Sequence, residues 1–141
     1  MPPINVKALC VFLHDEMILV KECTDPHSNE LFYRPAGGGV EFGEHSSDTI
    51  VREIREELGA EITLPEFLGV LENIFTYDGA QGHEVVFIYD AKFVDPKFYK
   101  MAEVLLDENG VVCKAVWKPL SFFISGDAPL YPDGLLTLLM R

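Results

Sequence analysis

The 141-residue chain has 48% hydrophobic and 24% charged residues, the balance of one globular domain spanning 1–141 rather than of a disordered or fibrous protein. Eleven Lys and Arg against 23 Asp and Glu give a formal net charge of −12, a field that repels nucleic acid and anionic lipid, so neither DNA nor a membrane is an expected partner. The longest apolar run, 8–13, is too short to cross a bilayer, no secretory leader opens the chain, and Cys10, Cys23 and Cys113 match no disulfide or metal-site spacing; a cytoplasmic location is expected.

Residues 5–13 are β-prone and 17–21 form a second short apolar run, with His14-Asp15-Glu16 as a hairpin turn between them. Asp25-Pro26-His27-Ser28-Asn29 is turn chemistry and predicts an exposed loop. From Arg34 to Val40, three consecutive glycines predict irregular backbone that approaches a neighbour closely. The clearest helix covers 46–58, where Ile50, Ile54 and Leu58 recur at i, i+4 and i+8 beside Val51. Gly59 stops it, His45, Ser46 or Ser47 caps it, and Asp48 suits its positive end. Residues 67–76 and 84–93 read as an antiparallel pair turning at 78–82, and 111–117 as another strand. A loop over 119–132 and a short helix over 133–139 complete an α+β chain built on a mixed sheet.

Glu53, Glu56 and Glu57 stand at i, i+3 and i+4 and so share one side of the helix, away from the apolar stripe. Like charges this close repel, and a hard divalent cation reverses the sign because Mg²⁺ and Mn²⁺ favour carboxylate oxygens. Arg52 and Arg55 interrupt the run and can orient single glutamates. Taken alone, E-x-x-E-E more often marks a solvated charged face; its surroundings decide otherwise.

Gly38, Glu44, Arg52-Glu53-Ile54, Glu56-Glu57 and Gly59 are spaced as G-x5-E-x7-R-E-U-x-E-E-x-G-U, where U is a bulky aliphatic. This resembles the signature of the Nudix hydrolases, with all seven fixed residues present and only Ala60 smaller than the usual aliphatic. The lead-in from Arg34 to Glu41 and the late Trp117-Lys118-Pro119-Leu120 are also similar to that family. The resemblance implies an α/β/α sandwich and hydrolysis of a pyrophosphate bond in a nucleoside diphosphate derivative, with Mg²⁺ as cofactor and Mn²⁺ as substitute. By similarity Glu53 and Glu57 are the first metal ligands, Glu56 shares a second ion, and the Gly37 carbonyl is a further ligand exposed by the glycine turn.

The catalytic set implied in this way is Glu53, Arg52 and Glu56, with Arg52 orienting a glutamate and Glu53 doubling as general base. Glu44 supports the site, while Gly38 and Gly59 are structural, shaping a turn and ending the helix. Glu84, Asp107 and Glu108 are alternative bases, each more simply read as a surface carboxylate, and His83-Glu84 as a strand-edge pair facing water. Arg34 is a candidate for a substrate phosphate and Tyr77 for stacking a base. A nucleoside triphosphate or similar small nucleotide is the default substrate and a dinucleoside polyphosphate the second choice. A catalytically silent nucleotide-sensing domain is the reading from another class, and a homodimer is the expected assembly.

Overall fold

The computed structural model describes residues 2–108 and 110–141. Asp15 and Glu16, both with positive φ, close a tight hairpin between β2 (Leu13–His14) and β3 (Met17–Thr24). Both β2 and β4 (Leu31–Arg34) lie along one edge of β3, and β9 (Val111–Pro119) followed by β8 (Glu103–Glu108) lies along the other, all antiparallel. A second sheet runs β5-β1-β7-β6, from β5 (Ala36–Gly39) through β1 (Asn5–Val11) and β7 (Ala80–Asp90) to β6 (Glu66–Tyr77) at its edge. In it β1 is parallel to β7 and the other pairs are antiparallel, so this sheet is mixed.

Both faces of the central strands are covered, which explains their unbroken apolar runs. Ala8 and Cys10 of β1 and Phe12 just after it join Ile50 and Ile54 of α1 (Ser46–Leu58) in one core. Leu9 and Val11 turn the opposite way, into a core closed by Phe123 of α2 (Leu120–Ile124) and Leu135 of α3 (Leu135–Leu139). Helices on both sides of the sheets give the expected α/β/α layering. No helix among the described residues is long and apolar enough to cross a membrane.

Helix α1 has the predicted bounds. Gly59 ends it in the left-handed region (φ 65°), its N–H donating to the Arg55 carbonyl at 3.0 Å. His45 takes the N-cap without a side-chain bond; Ser46 instead meets the Tyr89 hydroxyl at 2.7 Å.

Several expectations are corrected. The glycine stretch is not irregular: β5 pairs with β1 in the register Leu9↔Gly37 and Ala8↔Gly38, and the absent side chains are what permit the approach, since a Cβ on Gly37 would lie 2.0 Å from the Ala8 carbonyl oxygen. The strand expected over 5–13 breaks at Phe12. The turn expected over 78–82 shrinks to Asp78-Gly79, both with positive φ, so β7 starts at Ala80. Within 119–132 lies α2, and β8 together with a 3₁₀ turn over Pro96–Tyr99 had no prediction.

Candidate active site

The first turn of α1 is tied to the loop before it. Glu44 accepts from Arg52 Nε at 2.8 Å and Nη2 at 3.0 Å, and from the Thr49 hydroxyl at 2.6 Å. These donors, Arg52 foremost, pull the Glu44 pKa down to about 2. Arg52 Nη1 donates to Glu53 Oε1 at 2.9 Å and Nη2 to the Gly39 carbonyl at 3.2 Å, so one guanidinium joins helix, loop and β5. Gly38 has a role different from the one expected. It shapes no turn; a Cβ there would lie 2.4 Å from Glu53 Cδ, so the missing side chain is the space that the Glu53 carboxylate occupies.

Glu57 is buried, with 7% of its surface exposed, and its Oε2 has no hydrogen-bond partner among the described residues. Burial pushes its pKa up to about 8, Lys21 pulls against that, and the adjacent Glu53 adds to it. An orphaned carboxylate oxygen beside a second carboxylate is a place where a hard cation supplies the missing partner and relieves the repulsion, so this donor set fits Mg²⁺ or Mn²⁺. Glu56 stands further out, with its side chain 60% exposed and 3.4 Å from Arg52 Nη1. Among the described residues no three acidic, His or Cys groups already gather as a metal cluster.

This carboxylate pocket adjoins a cleft of about 450 Å³ lined from both sheets. Arg34 and Tyr77 both line the cleft, Tyr77 edge-on to Phe32 at 6.2 Å between centroids. Arg34 Nη2 stands 3.6 Å from Glu84 Oε1. Glu84 is buried, not a surface carboxylate, because Asn73 and Arg34 flank it across the cleft; it faces the cleft while His83 pairs outward with Glu72 at 3.3 Å. Asp107 and Glu108 line the carboxylate pocket from β8, opposite α1. Glu108 Oε1 accepts from the buried Lys21 Nζ at 2.6 Å; burial alone would raise its pKa, but Lys21 holds it below the usual carboxylate range.

Phe75 lines the cleft, as its reading as a core or cleft wall implies, while sequence reading missed Lys7, Lys21 and Asn73 as cleft residues. Their spacing carries no motif; strand pairing assembles them. One signal was legible. Gly82, read as a turn residue, instead pairs with Phe75, and the distal half of the Phe75 ring fills the space of a Gly82 side chain; a glycine next to a strand pattern was the signal of that close approach.

Comparisons with known proteins agree with this fold. A structure of a NUDIX hydrolase from Nitrosomonas europaea superposes with a TM-score of 0.69 at 18% identity, covering 98% of this chain and 87% of that one. A MutT NUDIX hydrolase from Burkholderia pseudomallei gives 0.64 at 24% identity, covering 85% and 86%. The MutT4 protein of Mycobacterium tuberculosis is 30% identical over 83 residues, which is 59% of this chain and 31% of that protein, so the chain matches about a third of that relative's length. The family model for the NUDIX domain matches residues 1–119, and the chain therefore belongs to the Nudix family.

Proposed function

We propose that the protein hydrolyses a pyrophosphate bond in a small nucleotide, a nucleoside triphosphate or similar derivative, with a divalent cation held by Glu53, Glu57 and the Gly37 carbonyl and a second ion shared by Glu56. The observation that carries this reading is the buried, unpartnered Glu57 carboxylate beside Glu53, at the end of a cleft with cationic and aromatic walls. Bound there, Mg²⁺ supplies charge neutralisation of the phosphate oxygens and a water of lowered pKa.

The chain's own residues do the rest. Arg52 fixes the Glu53 carboxylate, which accepts the proton of the attacking water. Arg34, held near Glu84, turns its guanidinium toward the phosphates, whose oxygens match its fork. The rings of Phe32 and Tyr77 bind the base, and Glu57 stays dry and ready to charge when the cation arrives. A dinucleoside polyphosphate is the second reading, supported by the half-exposed Tyr77 on the cleft wall, a ring open to a base.

Phosphate release from a nucleotide panel, with and without Mg²⁺, tests the proposal. Activity should require the metal and fall steeply in Glu57→Gln while the fold persists. Metal-independent turnover, or a fully active variant, refutes it, and product analysis separates the two substrate classes.

A further inference from the structure

The carboxylate pocket and the cleft meet along a narrow seam: Lys7, Gly37, Gly38 and Glu108 line both. A substrate whose scissile bond lies by Glu53 and Glu57 and whose base lies among the rings has to lead its phosphate chain across this seam. Of the four residues there, Lys7 alone carries positive charge. It sits on β1 opposite Gly39, half-buried, with Nζ 3.9 Å from where a side chain on Gly39 would begin, so the ammonium lies over the glycine strand.

The two other cations of the cleft are engaged, Lys21 with Glu108 at 2.6 Å and Arg34 with Glu84 at 3.6 Å. Among the described residues no carboxylate lies within ion-pairing distance of Lys7. In a chain where acids outnumber Lys and Arg 23 to 11, an ammonium without a carboxylate, placed between two pockets instead of in open solvent, is matched to an anion that comes with the ligand.

We infer that Lys7 grips the phosphate chain of the substrate at the seam, beside the bond to be cleaved. This inference rests on the pyrophosphohydrolase reading above, and it makes Lys7 a substrate-binding residue that selects for two or more linked phosphates.

Calorimetry of inorganic pyrophosphate binding to the full chain, with Mg²⁺ present, is the test. Lys7→Met should weaken binding about tenfold or more, and Lys7→Arg should stay within about threefold of the parent. Lys97→Met removes an equal charge from an exposed site, and should leave affinity unchanged. With a nucleotide substrate, kcat/KM of Lys7→Met should fall by at least the same factor, and unchanged thermal melting would show that the fold is kept. Normal binding by Lys7→Met, or equal weakening by Lys97→Met, overturns the role of Lys7 alone. A wild-type chain that binds no pyrophosphate removes both this role and the reading beneath it.

Discussion

Arg52 and Glu44, eight residues apart, are joined at two points, Nε to Oε2 at 2.8 Å and Nη2 to Oε1 at 3.0 Å, and this fork leaves Nη1 aimed at Glu53. A lysine has one donor centre and cannot hold both carboxylates in these positions. Arg52→Lys should therefore lower activity about 10–100-fold with little change in melting temperature, the scale on which supports of metal-site ligands act. Steady-state rates at saturating Mg²⁺ check it, and near-normal turnover would mean that Glu53 needs no such support.

The same fork predicts an acid response. Glu44 has its folded pKa near 2, below its ordinary 4.5, so its contribution to stability is complete above about pH 4.5 and is lost as pH falls toward 2. Glu44→Gln should be less stable than the parent at pH 7, with the difference closing between pH 5 and 2. Denaturant titrations across that range measure it; parallel curves for the two proteins would count against the fork.

Gly38→Ala tests the space beside Glu53. The new methyl would lie 2.4 Å from Glu53 Cδ, so the carboxylate has to swing away while the backbone, whose φ is not in the left-handed region, stays as it is. The expected result is a folded protein with weakened Mg²⁺ affinity and activity reduced on the order of tenfold or more. A variant with normal metal dependence would show that the position of Glu53 is not critical.

Glu57→Gln removes a charge that burial disfavours. With the folded pKa near 8 against an ordinary 4.5, ionising Glu57 costs stability progressively as pH rises through this interval. The metal-free variant should therefore melt at or above the parent at pH 9, and the two should converge near pH 4. Mg²⁺ should raise the melting temperature of the parent only, because ligand binding to the native state is what stabilises it. Activity should drop on the order of 10²–10³-fold.

Gly59→Ala concerns the fold alone. Its φ of 65° suits glycine, nothing lies within 4 Å of the added methyl, and the cost is conformational, about 1 kcal/mol. Urea unfolding should register that loss while kcat stays within twofold or so of the parent.

Helix α1 was legible to the residue because its signals are local: a 3.6-residue apolar period and a glycine stop. The carboxylates of Glu53 and Glu57 were legible because they ride on the same turn. Less was readable where pairing overrides propensity. Gly37, Gly38 and Gly39 look like a loop, yet they form a strand because β1 offers backbone partners, and at Gly37 it comes closer than a side chain would allow. Glu84 looks like a surface acid until Asn73 and Arg34 close over it from 11 and 50 residues away in sequence. Lys7 and Lys21 carry no mark in the sequence at all, since their meaning comes from which pockets the two sheets enclose.

Strand β6 ends its sheet with one backbone edge open, and Val70 and Ile74 lie exposed along it. Such a rim invites illicit pairing with other chains. Glu72 sits between the two apolar residues, and the register shift at Phe67/Gly69 kinks the strand, so the stretch is too interrupted to template growth. Replacing Glu72 with an apolar residue would erase this gatekeeper, and aggregation during refolding, rather than lost catalysis, would be its first symptom.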